Sequence, residues 1–361
     1  MGFEELRFFN FRNLVDRTLS LDGARELFLV GENGQGKTNL IEAVHLLCVG
    51  SSFRESREAA LVRDPAAPAG LAGRYRCDDS TDTAFSLHIS PGRRKEIQLD
   101  GKVIAERREL FSRTLCVCFV QQDMEFVTGS PEARRRFYDQ TLILSDLPFL
   151  DLLRSYRQVL KSRNLSLRAR QEDLLDIYDG QLAGFGLEIQ ARRQELAGAF
   201  NSVFAPLYRG IAGCEATVEI RYRPSWNGLT RVGEAVQRLA ASRERDLLFG
   251  ATTSGPHRDS FFYSLEGRDF TPYASTGQLR LCALVLRVAQ ARFLSERTGK
   301  KPILLLDDVL LELDPARKRE FVSRFPLYEQ AFFTFLPDES WQAFRGESTR
   351  VMSVSRGDFE G

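Results

Sequence analysis

The sequence predicts a mixed α/β fold whose head is split in the chain, with a mainly helical segment inserted between the two halves. Three observations carry this. The apolar run Leu27-Phe28-Leu29-Val30 leads straight into a stretch of helical spacing at 38–49. Residues 132–208 are long, charged and Arg/Glu/Leu-rich, with Pro148 the one interruption before Pro206. A second wholly apolar run, Ile303-Leu304-Leu305-Leu306, has the composition of a strand buried on both faces of a parallel sheet. With 361 residues, 43% of them hydrophobic and 27% charged, the chain has room for two domains and a real core.

Taken in order, FEELRFFNFRN reads as strand, and Leu40, Ile41, Val44, Leu47 and Cys48 fall at helical spacing before Gly50, where a helix ends. The Pro/Ala/Gly-rich stretch 65–73 reads as a loop. AFSLHIS and KEIQLDGKVI alternate as strands do, and Asp100-Gly101 is a hairpin turn. Strand patterns return in ATVEIRYRP and DSFFYSLEG, and a helical run follows over about 278–294. This divides the chain into a head, 1–125 joined to 250–361, and a helical arm, 126–249.

Composition excludes several classes. The net charge is +1, so any attraction to nucleic acid must come from local patches. No run approaches the roughly 20 apolar residues of a membrane helix. The start, MGFEELRFFNFRN, carries acids and lacks the apolar core of a signal peptide. Six scattered cysteines form no disulfide framework, and Cys116 and Cys118 alternate within a strand-like run as small buried hydrophobes. The expectation is a cytoplasmic protein with no membrane contact.

The chemistry starts at Gly31-Glu32-Asn33-Gly34-Gln35-Gly36-Lys37-Thr38, which fits G-x-x-x-x-G-K-[ST] between an apolar strand and a helix. Glycines let the backbone N–H groups turn toward phosphates, and the helix N-terminus adds partial positive charge. Lys37 bridges the β- and γ-phosphates in this reading, and Thr38 supplies a hydroxyl to Mg²⁺. A second carboxylate-bearing strand end is required beside such a loop, and ILLLDDVLLELD offers one. Asp307 is placed in the Mg²⁺ shell and Asp308 beside the attacking water, although an aspartate there also suits a helix N-cap. ATP and Mg²⁺ are the implied cofactors.

Lys37 and Asp307 stand 270 residues apart, so the two halves of the site flank the helical insert. Ser275-Thr276-Gly277-Gln278 opens the helix at 278–294, and Gln278 lies 29 residues before Asp307. A serine, a glycine and a helix start make a phosphate-binding end, and this S-x-G-Q matches the signature motif of ABC-type ATPases.

The sequence then resembles the RecF family, recombination mediators among the SMC-like ABC ATPases, over essentially its whole length. The residues that carry the likeness are Asn10-Phe11-Arg12-Asn13, GENGQGKTNLIEA, Gly129-Ser130-Pro131 with Arg134-Arg135-Arg136-Phe137-Tyr138-Asp139, Leu160-Lys161-Ser162-Arg163-Asn164, Ser254-Gly255-Pro256-His257-Arg258-Asp259, and PILLLDDVL with Glu312-Leu313-Asp314. The resemblance implies an ABC-type (SMC-like) P-loop ATPase head with Arg12 at the nucleotide and Asp314 in the D-loop. It implies an ATP-dependent homodimer in which Ser275, Gly277 and Gln278 serve the partner's ATP. It also implies weak ATPase activity used as a switch, binding to gapped or single-strand/double-strand DNA, and action with RecR and RecO in loading RecA. The chain departs from the pattern at Val120-Gln121-Gln122-Asp123, where either Gln121 or Gln122 is the Q-loop residue touching Mg²⁺. It departs again at Leu311, in a place where serine is common, and at Thr334, which stands at the switch histidine of transporter ATPases.

DNA contact has its own signal. Arg154, Arg157, Lys161, Arg163, Arg168 and Arg170 bring six positive charges to 152–170 with no acid. Solvated faces normally mix signs, so phosphate contact and bland surface both stand open, with Arg154, Arg157, Lys161 and Arg163 the candidates. No base-reading motif is present, so binding is expected to be sequence-independent and salt-sensitive. The rivals to a DNA-binding switch are the motor subunit of a membrane transporter, a P-loop kinase acting on a small molecule, and a DNA clamp that binds ATP without hydrolysis.

Overall fold

In the computed structural model, residues 2–55, 57–77, 82–92, 95–213, 217–311 and 313–361 are described. Glu312, part of the D-loop pattern, lies outside them. The chain opens with strands β1 (Gly2–Phe9), β2 (Arg17–Ser20) and β3 (Glu26–Val30), then helix α1 (Lys37–Val49). Next come β4 (Ala69–Arg76), β5 (Asp82–Ile89), β6 (Glu96–Leu99), β7 (Lys102–Val103), helix α2 (Arg108–Arg113) and β8 (Cys116–Phe119). The helical stretch holds α3 (Glu125–Thr128), α4 (Pro131–Ser145), α5 (Pro148–Ala169) and α6 (Leu175–Ala212). After it stand β9 (Val218–Arg223), α7 (Val232–Ala241), α8 (Arg243–Phe249), β10 (Ser260–Leu265), β11 (Arg268–Asp269) and α9 (Thr276–Thr298). The chain closes with β12 (Ile303–Leu306), α10 (Pro315–Ser323), β13 (Gln330–Phe335), β14 (Thr349–Ser355) and β15 (Asp358–Glu360).

Contacts divide the chain into two units, 1–122 with 294–361, and 123–293. The first joint falls three residues before the one read from sequence; the second falls 44 residues after it. The reason lies in backbone pairing. β10 pairs antiparallel with β9 over Ser260↔Arg223 to Leu265↔Val218, which ties the residues after 250 to the helical stretch.

The first unit has two six-stranded sheets. One has the order β2-β1-β4-β5-β6-β7 and is antiparallel; the other has the order β15-β14-β3-β13-β12-β8, parallel except for β15. β12 lies between β13 and β8 with all four side chains buried, as its unbroken apolar run requires. Helix α1 packs against strands of both sheets, and Leu40, Ile41, Ala43, Val44 and Leu46 are fully buried. The Asp100-Gly101 turn joins β6 and β7 with φ of 50° and 75°.

Two local expectations change. The loop read at 65–73 runs into β4, which sits between β1 and β5. Its small residues fit a ring rather than a turn: a Cβ on Gly73 would meet Phe3 Cε1 at 2.6 Å. The helical stretch also breaks at Arg170, whose φ is 53°, while α6 continues through Pro206 to Ala212.

In the second unit, α5 packs along α6, and the β11-β10-β9 sheet joins α6 through β9 and α4 through β10. Tyr138 stacks on Phe261 with ring centroids 3.8 Å apart.

Candidate nucleotide-binding site

The loop between β3 and α1 is fixed by backbone geometry. Gly36 has φ of 117° and Gly34 has φ of 78°, so side-chain-bearing residues would be strained at both. A Cβ on Gly31 would meet the Val354 carbonyl oxygen at 2.3 Å, because β14 runs close beside the loop. Other residues tie the loop down from outside. Asn13 Nδ2 donates to Gly34 O at 3.1 Å, Gly357 N to Gln35 O at 2.8 Å, and Arg356 N to Gln35 Oε1 at 2.7 Å.

Lys37 is the first residue of α1 and is almost fully buried. Its Nζ donates to Gly31 O and Glu32 O, and among the described residues no carboxylate forms an ion pair with it. Thr38 Oγ1 donates to Asp307 Oδ1 at 2.9 Å, so residues 269 apart in the chain meet where the N-terminus of α1 reaches the C-terminal end of β12. Asp307 is buried, and burial first, then the negative charge of Asp308, push its carboxyl up to about 6 against the pull of Thr38, Arg54 and Lys37. Asp308 stands in the left-handed region with φ of 53°. Its N–H donates to Thr334 Oγ1 at 2.7 Å, and that hydroxyl donates back to Asp308 Oδ1 at 2.9 Å.

The loop and the start of α1 wall a cleft of about 280 Å³ lined by Glu32, Asn33, Gly34, Gly36, Lys37, Thr38, Asn39, Arg54 and Asp308; Asp307, bonded to Thr38, is not itself in the lining. Gly31 and Gln35 lie outside the lining and shape the loop from behind. A hydroxyl beside a carboxylate is a hard oxygen donor pair of the kind Mg²⁺ takes when phosphates complete its shell. Among the described residues no cluster of three or more His, Cys, Asp or Glu could hold a metal alone.

Arg12 departs from its expected place. Its Nε and Nη2 both donate to Glu42 at 3.0 Å, and it does not line the cleft. Glu42 is fully buried in α1, and Arg12, Arg54 and Ser52 all bond it, which holds its carboxyl below the usual range despite burial. Arg54 is the cationic residue that sequence reading missed. It follows α1 without any pattern of its own, and only the turn after Gly50 brings it to the cleft.

Gln121 and Gln122 are both exposed and follow β8, which pairs with β12 in the register Phe119↔Leu306. Neither lines the cleft, and the Asp123 after them is consumed by Arg287 at 2.9 and 2.7 Å. Asp314 caps α10, with Oδ1 accepting from Ala316 N at 3.1 Å and Arg317 N at 3.0 Å. In the second unit, Ser275, Gly277 and Gln278 are exposed at the start of α9. Ser275 and Gln278 cap it reciprocally, at 2.8 Å from Ser275 N to Gln278 Oε1 and 3.3 Å from Gln278 N to Ser275 Oγ.

The basic run on α5 separates into two kinds of residue. Arg154, Arg157 and Lys161 are exposed, whereas Arg163 has 0% exposure. Arg163 Nε donates to Asp179 at 2.6 Å, and its Nη1 to Asp246 at 2.6 Å and Thr252 at 2.9 Å. A guanidinium so enclosed cannot meet a DNA backbone, which removes it from the candidate contacts.

A strand–loop–helix with a buried lysine, and an aspartate at the end of the strand that completes it, is a P-loop nucleotide site in an ABC-type head. The family model for the RecF/RecN/SMC N-terminal domain matches residues 3–343. This chain belongs to the RecF family of SMC-like ATPases. It is 39% identical to the DNA replication and repair protein RecF of Treponema pallidum (strain Nichols), over 96% of this chain and 98% of that one. A solved RecF–ATP structure, described as a recombination mediator protein in the RecFOR pathway, is 29% identical and superposes with a TM-score of 0.88 over 99% of this chain and 97% of that one. An Smc head bound to the winged-helix domain of ScpA, 14% identical with a TM-score of 0.59, shares the fold over 100% of this chain and 97% of that one. The fold is therefore a split ABC-type head with an inserted, mainly helical arm, as the sequence implies.

Proposed function

We propose that this chain is an ATP-switched, DNA-binding recombination mediator of repair and replication restart. The observation that carries the reading is the Thr38–Asp307 contact beside a buried, carboxylate-free Lys37. In this reading Lys37 compensates phosphate charge, while Asp308, oriented by Thr334, takes the proton of the attacking water. Thr38 and Asp307 would hold Mg²⁺, which would supply positive charge to offset that of the phosphates. Gln121 or Gln122, just after β8, is the Q-loop residue in this reading. Aspartate is one methylene shorter than the glutamate of many ABC ATPases, so hydrolysis is slow and serves as a timer.

Two ATP-bound heads close as a dimer, with the exposed start of α9 on one chain serving the nucleotide of the other through Ser275, Gly277 and Gln278. Asp314 stands in the D-loop of that interface. Residues 126–249 act as the arm, and its exposed Arg154, Arg157 and Lys161 contact phosphates of gapped or single-strand/double-strand DNA. The relatives' names support a role in DNA replication, repair and the RecFOR pathway; in this reading the chain acts in the cytoplasm with RecR and RecO, upstream of RecA loading.

The test is DNA binding and sedimentation measured with ATP, with ADP and without nucleotide. Dimerisation and DNA binding should both rise with ATP alone, and DNA affinity should fall steeply with salt. Equal binding in all three states refutes the switch. Ser275→Arg should block dimer closure and leave ATP binding to the monomer intact; normal dimerisation by that variant refutes the shared site.

A further inference from the structure

A second cleft, of about 290 Å³, lies wholly within the 123–293 unit, between α4, α5, α6 and the Pro256-His257 turn. Its walls bring together two motifs that the nucleotide site leaves unused, Arg134-Arg135-Arg136-Phe137-Tyr138-Asp139 and Gly255-Pro256-His257-Arg258-Asp259. Arg135, Arg136, Arg157 and Arg193 line it against two carboxylates, Glu132 and Asp139.

The four arginines are not equivalent. Arg193 is buried and saturated, since Asp139 accepts from it at 2.9 and 3.0 Å, Asp259 at 2.9 Å and Pro256 O at 2.7 Å. Asp259 is itself occupied from behind by Gln190, Tyr222 and Ser225 N. Arg136 faces Glu132 across 3.7 Å on an exposed surface. Arg135 and Arg157 remain, and among the described residues neither has an ion-pair partner. Arg135 makes one hydrogen bond, from Nη1 to Asp259 O at 2.6 Å, and is half-buried. Burial, then the like charge of Arg193, push its guanidinium's pKa down against the pull of Asp259, Asp139 and Glu132. Nor does the turn supply the missing charge. Tyr156 Oη donates to His257 Nδ1 at 2.7 Å and His257 Nε2 donates to Thr252 O at 2.9 Å, which fixes a neutral imidazole.

Two unpaired guanidiniums over a saturated floor are suited to bidentate recognition of a tetrahedral oxyanion. The volume sits at the lower edge of the roughly 300–1,000 Å³ of small-molecule sites, enough for a phosphate with its sugar and too little for a duplex. We propose that this cleft binds one phosphate group, carried by a free nucleotide or by a nucleic-acid strand. The site does not depend on the ATP switch and shares only Arg157 with the proposed DNA face.

The experiment uses the full chain carrying Lys37→Met, which silences the phosphate loop, titrated with inorganic phosphate and AMP by calorimetry. One saturable site per chain is expected, weakened at least tenfold by Arg135→Gln with Arg157→Gln and unchanged by Arg238→Gln, whose side chain does not line the cleft. Arg157→Gln alone, on an exposed residue, should weaken it severalfold and serves if the double variant fails to fold. Competition between a short single strand and AMP assigns the phosphate to DNA; absence of competition assigns it to a free nucleotide. No saturable phosphate or AMP binding, or equal affinity in the arginine variants, overturns the proposal. In the parent chain, by contrast, phosphate binding at this cleft without any ATP-stimulated DNA binding would count against the proposed function and leave this proposal standing.

Discussion

Two clusters of buried charge distinguish the units of this molecule. In the head, Lys37 is buried against carbonyl oxygens, and buried Asp307 and half-buried Asp308 sit side by side with, among the described residues, no arginine bonded to either. In the helical unit, Arg163 and Arg193 are just as buried, but each is held by two carboxylates. The difference separates chemistry from architecture. A buried charge without its counter-ion is kept at a cost and waits for a ligand to complete it, whereas a buried charge with two counter-ions is finished. Sequence alone shows only that the residues are basic or acidic.

The comparison breaks most visibly at Lys37. Lys37→Met should abolish ATP binding and ATP-dependent DNA binding while leaving the melting temperature of the free protein nearly unchanged, because Lys37 supports no core. Nucleotide titration of the folded variant checks this, and unchanged ATP affinity would remove the distinction between the clusters.

The converse experiment is Arg163→Met. It leaves Asp179 and Asp246 buried with a partner lost, and breaking such a pair costs about 3–5 kcal/mol. Denaturant unfolding should show that loss, while ATP affinity of the protein that remains folded should stay within about twofold. A variant as stable as the parent would mean that the buried network is ornamental.

These two residues also mark what was legible in the chain. The strand, loop and helix around Lys37 are contiguous, so pattern and spacing name every part of that half of the site. Asp307 was legible too, because a four-residue apolar run ending in Asp-Asp has few other uses. Arg163 was misread as surface because the carboxylates that neutralise it lie 16 and 83 residues further along. Arg54 was invisible for the same reason: its place at the cleft depends on Glu42 and on the turn after α1, not on any local motif. β4 was hidden because Gly73 is selected by the Phe3 ring on the neighbouring strand rather than by strand propensity.

The helical unit also contains a histidine whose titration is displaced downward. Burial pushes His257 down to about 4 from 6.5, ahead of the opposing Thr252 hydrogen bond and the repulsion from Arg258 and Arg135. The unfolded chain therefore binds the extra proton between these values, and stability falls as pH drops from 6.5 toward 4, by about 3 kcal/mol in all. Unfolding followed across that window should be steeper in the parent than in His257→Gln. Parallel curves would show that His257 titrates as in water.

Within the head, Asp308→Asn should keep ATP binding, lengthen the life of the dimer and lower hydrolysis by roughly a hundredfold, the size typical of a lost general base. Single-turnover hydrolysis alongside nucleotide affinity separates the two effects. Normal turnover would reduce Asp308 to a structural residue, like the carboxylates around Arg193.

The smallest expected effect tests whether an uncompensated charge needs its own positioning. Asp308 lies at φ of 53°, a conformation that costs a residue with a side chain of order 1 kcal/mol or more. One hydroxyl answers that cost twice, since Thr334 Oγ1 accepts from Asp308 N and donates to Asp308 Oδ1. Thr334→Val keeps the shape of the buried side chain and removes both bonds, leaving an N–H without its acceptor and a carboxylate free to rotate. Hydrolysis should fall about tenfold, near 1.4 kcal/mol, with ATP affinity unchanged, since neither group bonds Lys37 or Thr38. Thr334→Ser restores the hydroxyl and should restore most of the rate, which a packing defect would not do. Full turnover in Thr334→Val would show that Asp308 holds its place through the strand end alone, and equal damage in Thr334→Ser would show that the methyl group, not the hydroxyl, sets the geometry.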